Sequence, residues 1–332
     1  MQAEILSAEA QDAPGTPHGS PVVHLAQAWA KKYLQNLESD PNLLPFKTNQ
    51  NQIIKNLKTS LRPASIKAWN KTEKLISKEL ERHQINPKLI NPWQISEDSF
   101  RIFEKTIELY AHQDSPYRLA TVIGSDLGKI RKKYTKEDPR VIGFVSMQFH
   151  HTGQMLLEGI NKSEQDKIRQ YFKVIDDHLY MPLPRAYQAA ATYNYNSPIL
   201  SVVQKLLPCI TEIATKICDR VIKLYPTYFT YSGYLNDPVV KTASIRDVEM
   251  FQVYLWVCVL EQSIAAIQQE LFPLTVMLYP TLKVRWELVR QMIHLLTQEI
   301  SSRLGKSELS LFEPYLQVLW EMFSPEIFPD SL

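Results

Sequence analysis

The residues best able to do chemistry gather in three places. The first combines histidine with acid: Phe149-His150-His151-Thr152 falls on one predicted helix, and Asp176-Asp177-His178 ends the next. Imidazole nitrogens ligate iron and other transition metals, and helical bundles with an apolar surround host haem and other tetrapyrroles. Met147 and Phe149 flank His150, and Gly143 and Gly153 allow close approach. His150, His151 and His178 are therefore the candidate cofactor-binding residues. A metal needs three or four ligands converging on one point. Two helices joined near Asn161-Lys162 carry these side chains towards different ends, so the three histidines are not expected to hold a metal jointly. No His-Glu-x-x-His, Glu-x-x-His or Cys-x-x-Cys-His occurs. The competing reading is structural, with histidines in core hydrogen bonds and aspartates at a helix end.

The second place is a basic stripe. Lys67, Lys71, Lys74, Lys78 and Arg82 follow at steps of four, three, four and four, which puts them on one helix face roughly 80° wide. Trp69, Ile76 and Leu80 lie on the opposite face. A second cluster, Lys129, Arg131, Lys132, Lys133 and Lys136, falls at a predicted helix C-terminus, where it also suits the helix dipole. Such a stripe contacts phosphates, anionic lipid or an acidic protein surface, or is simply solvated. An acidic protein is the expected partner and nucleic acid the second, although no zinc finger, aromatic RNA-binding motif or helix-turn-helix is present.

The third place is aromatic. Tyr225, Tyr228, Tyr231 and Tyr234 recur every three residues. Tyrosine offers large contact area with one polar end, which suits interfaces, and Tyr228 and Tyr231 join the stripe as candidate partner-binding residues. Beyond these, charges stud very apolar C-terminal helices. Arg246 with Glu249, and Glu287 with Arg290, stand three apart and predict local ion pairs. Glu261 follows the apolar run Val253 to Leu260 and calls for Arg285 or Arg290 as partner. Serine-hydrolase elbows, phosphate loops and dinucleotide-binding turns are absent.

The elements that must position these residues are helices. Glycine numbers 9 in 332 residues, about 3% against a usual ~7%, and no Asn-Gly or Asp-Gly hairpin signal is found. Periodic segments are predicted at 23–37, 51–61 and 64–83 (split at Arg62-Pro63), 96–111 (capped by Ser96), 116–134 and 139–157. Others follow at 163–177, 186–193, 198–224 (kinked at Pro208), 244–271 (opened by Ser244), 282–304 and 308–323. The expected fold is all-α, a bundle of about ten helices behind a disordered tail at 1–20. A basic helical region over 21–134 precedes a C-terminal bundle over 135–332, unless the two form one continuous domain. Residues 1–150 carry a balance of +5 and the remainder −3, within the overall +2.

Cys209, Cys218 and Cys258 read as buried thiols of a reducing compartment. No secretory start and no uncharged apolar run near ~18 residues is visible, so a cytoplasmic chain without a transmembrane segment is expected. The favoured functional reading is a non-enzymatic interaction, assembly or regulatory protein that engages an acidic partner through the basic face, with a second surface or a dimer face on the C-terminal bundle. The alternative is a haem-, tetrapyrrole- or metal-binding helical protein using His150, His151 or His178. A nucleic-acid-binding regulator is the second alternative.

Overall fold

The computed structural model describes residues 25–29 and 50–329. The expected tail and most of the helix expected over 23–37 lie outside the described residues. The fold is all-α, as its composition implies: twelve α-helices are present among the described residues, and the strands amount to one small hairpin. No helix among them is long and apolar enough to cross a membrane.

Helix α1 (Gln50–Arg82) runs unbroken through Pro63, where the sequence suggested two helices. A proline inside a helix costs about 3 kcal/mol through its missing N–H and its clash with the preceding turn. Here its ring faces solvent, while Ile53, Leu57, Leu61, Ala64, Ala68 and Ile76 bury one continuous stripe on both sides of it. That burial outweighs the local penalty.

Helices α2 (Pro92–Ala111), α3 (Pro116–Thr135), α4 (Val141–Leu157) and α5 (Lys162–Tyr180) follow. Asn91, Ser115 and Asn161 cap α2, α3 and α5 by accepting the amides of Gln94, Arg118 and Glu164. Ser115 was expected. Ser96 and Ser163 were expected in place of Asn91 and Asn161, but the asparagines come earlier in the chain and satisfy the orphan donors first.

Helix α6 (Leu183–Ala190) is short. Helix α7 (Pro198–Leu206) ends in a 3-10 turn at Leu207–Cys209, around the expected Pro208 kink, before α8 (Ile210–Leu224). Strands β1 (Phe229–Thr230) and β2 (Gly233–Tyr234) then pair antiparallel, Phe229 with Tyr234 and Thr230 with Gly233. Gly233 has φ +136, and a β-carbon there would lie 2.3 Å from Asp237 Oδ2, so only glycine fits this turn.

Helix α9 (Pro238–Glu261) starts at Asp237-Pro238 rather than at Ser244. It stops at Gln262, left-handed at φ 49, short of the expected Leu271. A π-helical turn at Ile267–Leu271 leads into α10 (Phe272–Thr281), and α11 (Trp286–Ser301) and α12 (Lys306–Met322) complete the bundle. From Val248 to Leu260 every residue of α9 is buried, which marks it as the central helix. It packs on α6, α7, α8 and α12. Helix α1 packs on α2, α4 and α10, and α4 joins α5. These contacts bring the first turns of α9 beside the middle of α4 and the end of α5.

Candidate functional site

At that meeting point a chain of polar contacts crosses four helices and reaches a fifth. Lys71 of α1 donates to Gln154 Oε1 of α4 (3.4 Å), and the Gln154 amide lies 2.9 Å from His150 Nε2. His150 Nδ1 lies 3.1 Å from Asp176 Oδ2 of α5. With Asp176 as carboxylate, Nδ1 carries the proton and Nε2 accepts from Gln154. On α9, Arg246 donates to Asp176 (3.4 Å) and to Asp247 (3.2 Å), and Tyr279 of α10 donates to Asp247 (3.5 Å). The Arg246 guanidinium also sits 4.0 Å over the Tyr180 ring.

Burial opposes the Arg246 charge, but Tyr180, Asp247 and Asp176 outweigh it and hold the guanidinium charged above its ordinary range. Burial raises Asp247 against the pull of Arg246. Burial, and then Asp247, push the Tyr279 hydroxyl well up. Nε of Arg246 is buried and meets no hydrogen-bond acceptor among the described residues.

Three cavities meet at Arg246-Asp247. An inner one of about 90 Å³ is lined by Lys71, His150, His151, Gln154, Tyr231, Arg246, Asp247 and Tyr279 among others. A second, of about 70 Å³, lies on the far side of Asp247 with Cys218, Thr230 and Ser244. The third is a half-open cleft of about 360 Å³ between α2, α4, α5 and α9. Its wall is aromatic: Phe103 meets Phe172 edge-on at 5.0 Å and Phe149 at 6.1 Å. Gly153 lets this wall close, since a β-carbon there would lie 3.2 Å from Phe172. Facing the rings are His150, Glu158, Arg169, Lys173, Asp176 and Arg246.

The structure sets His178 apart from the other two histidines, whose rings lie 6.0 Å from each other. His150 is the ring inside the relay. His151 is buried against Thr72 Oγ1 at 3.0 Å, and burial, with Lys71 and His150 nearby, pushes it down to about 3. His178 points elsewhere: its Nδ1 donates to Val174 O (2.8 Å), and its ring lines a different hollow of about 300 Å³ with Trp29, Tyr117, Gly124 and Tyr187.

Of the stripe, Lys67, Lys74, Lys78 and Arg82 are exposed, and Arg82 lies 3.8 Å from Glu79. Lys71 is half-buried and belongs to the relay. Tyr228 is buried, donating to Lys283 O (3.0 Å), accepting from the Arg285 amide (2.6 Å) and lying under the Arg285 guanidinium. It pins its segment to the bundle. Tyr231 is exposed and reaches the inner cavity.

The charged C-terminal residues find other partners than those their spacing predicted. Glu249 takes Lys173 (2.8 Å) and Thr211 (2.5 Å) instead of Arg246. Glu261 takes Arg185 (2.6 Å), not Arg285 or Arg290. Arg185 also pairs with Glu270, which in turn binds the buried Arg131 at 3.0 Å. Arg290 caps the carbonyls of Phe323 (3.2 Å) and Phe328 (3.0 Å), and Glu287 pairs with Arg285. Long side chains on α9 reach across helices because their own helix is enclosed by them. Asp176 and Gln154 were not singled out as site residues. The signal for Asp176 lay in its acidic run on the helix after His150, but the helix crossing that joins them is tertiary.

No curated protein and no solved structure matches the chain. Residues 160–322, from just before α5 to the end of α12, match the family model described as phycobilisome protein. The match overturns the expectation of a regulatory interaction protein that engages an acidic partner. It favours the tetrapyrrole alternative, and Asp176, Arg246 and Asp247 all fall within the segment that is similar to phycobilisome proteins.

Proposed function

We propose that the chain is a light-harvesting type of helical protein that binds a linear tetrapyrrole at the Arg246-Asp247 junction. The observation that carries this reading is the relay itself: an Asp–Arg–Asp chain on the matched helices, extended by His150 of α4 and opening into an aromatic-walled cleft. A linear tetrapyrrole is a flat apolar body with pyrrole N–H donors and carboxylate arms, and when bound it supplies absorption of visible light. The donor set suits it. Asp176 is an acceptor for N–H groups, Arg246 and Arg169 are counter-ions for carboxylates, and the phenylalanines are an apolar platform. The volume of the cleft falls within the ~300–1,000 Å³ range of ligand sites. The two smaller cavities are too small for such a molecule.

Arg246 orients: bound to both aspartates and stacked on Tyr180, it has one geometry open to it. Helices α2 and α4 exclude water from one side of the cleft. The test is titration of the purified full chain with biliverdin, with haemin in parallel. The expected result is a saturable one-to-one change in the visible spectrum with induced circular dichroism for the linear pigment. The variant Asp176→Asn should weaken it about tenfold, as loss of a charge-assisted hydrogen bond does. A folded wild-type chain that leaves the spectrum of biliverdin unaltered would overturn the reading.

A further inference from the structure

The hollows of the molecule differ in what they offer an anionic, flat ligand. The one beside His178 has no lysine or arginine among its lining residues, so a carboxylate there would lack a counter-ion. The groove at Tyr225, Tyr228 and Phe229 has Lys283 and Arg285 but no acidic acceptor, and Arg285 is already held by Glu287 at 2.9 Å. The inner cavity and the cleft between α2, α4, α5 and α9 both combine aromatic rings with cations and a carboxylate, but the inner cavity holds about 90 Å³ against about 360 Å³ for the cleft. Two of its four walls, α2 and α4, lie outside the matched segment.

Its cations are unequal. Lys173 is committed to Asp177 and Glu249, each at 2.8 Å. Arg246 is shared between Asp176 and Asp247. Arg169 sits at the mouth, 44% exposed, with the still more exposed Asp166 as its carboxylate partner at 3.2 Å. It also donates to Gln165 at 2.8 Å. Exchanging an exposed partner for a ligand carboxylate costs little.

The thiols are elsewhere. None of Cys209, Cys218 and Cys258 lines the cleft. Cys218 faces the 70 Å³ cavity beyond Asp247, and Cys258 is fully buried in α9. Burial pushes the Cys218 thiol up to about 12 and Cys258 to about 11, so neither is the thiolate that a covalent link requires.

We propose that the ligand is held reversibly in this cleft, its flat body on Phe103, Phe149 and Phe172 and its carboxylates towards Arg169 and Arg246. The proposal rests on the tetrapyrrole reading and narrows it: the site spans matched and unmatched helices, and no bond joins pigment to chain.

The experiment uses the full chain with two probes, biliverdin and its dimethyl ester, and two variants. Ala243→Phe fills the cleft from α9. Arg169→Glu changes only an exposed side chain and cannot act by unfolding the core. Wild type is expected to bind the diacid and to release it completely on denaturation and gel filtration. Ala243→Phe should weaken the diacid at least tenfold. Arg169→Glu should weaken it several-fold while leaving the diester unaffected. Pigment that stays with the denatured chain overturns the proposal and leaves the tetrapyrrole reading standing. So does wild-type affinity in both variants. A wild-type chain that binds neither probe overturns both.

Discussion

Arg246 shows how a single side chain holds a junction together. It is nearly buried, ion-paired to Asp176 and Asp247 and stacked on Tyr180. Removing one member of such a group leaves the others desolvated and unbalanced. Arg246→Ala is therefore expected to cost about 3 kcal/mol, read as a lower denaturant midpoint at unchanged slope. A variant within 0.5 kcal/mol of wild type would mean that water reaches the aspartates freely. His151 makes a pH prediction. In the unfolded chain it titrates near ~6.5, and in the fold burial holds it down to about 3. Between these values the unfolded state binds a proton that the folded state refuses. Its contribution is thus fully present above pH ~6.5 and is lost as pH falls towards 3, at about 1.4 kcal/mol per pH unit. His151→Gln keeps a partner for Thr72 and should flatten the fall in stability between pH 6.5 and 5. An unaltered slope in that variant would assign the acid sensitivity to other groups.

At the scale of the element, α1 carries a proline that its surroundings tolerate rather than need. Pro63 is exposed, and the buried stripe passes beneath it. Pro63→Ala restores one backbone hydrogen bond and removes a clash, so stability should rise by about 1–3 kcal/mol. A loss of stability would show that Pro63 itself contributes to the fit of α1 against α4. The π-turn ahead of α10 is the opposite case. It places Glu270 between Arg131 and Arg185, with Tyr254 donating to it at 3.3 Å. Arg131 in turn binds the carbonyls of Leu179 and Tyr180 at the end of α5. Glu270→Ala should cost about 3 kcal/mol by stranding a buried guanidinium. A neutral outcome in thermal melts would mean that the carbonyls and Tyr254 alone satisfy Arg131.

At the scale of the whole molecule, the matched segment leans on the helices before it. Leu274, Met277 and Leu278 of α10 press against Gly143 of α4, and Phe172 of α5 packs on Phe103 of α2. A chain beginning at residue 160 would expose these apolar surfaces together. Such a fragment is expected to aggregate or to elute at high mass in size-exclusion chromatography, while the full chain elutes as a defined species. A monomeric fragment with a cooperative melt would show that the C-terminal helices fold alone.

The helical class was legible in the sequence because scarce glycine, helical periodicity and Ser-Pro or Pro-rich starts act locally, within a turn or two of the chain. The Ser115-Pro116 and Ser197-Pro198 starts and the break at Pro208 were readable for the same reason. Other features were set by contacts between residues far apart in sequence. The fusion of two expected helices across Pro63 came from burial against α4. The early start of α9 came from the Asp237-Pro238 turn that follows a glycine-dependent hairpin. The function expected from the basic stripe failed because charge periodicity reports only that a face meets water, not what it meets. Of that stripe, Lys71 alone turned inward to Gln154. The site took shape only where several helices cross, since a carboxylate finds its cation by distance in space, and local spacing does not encode that distance.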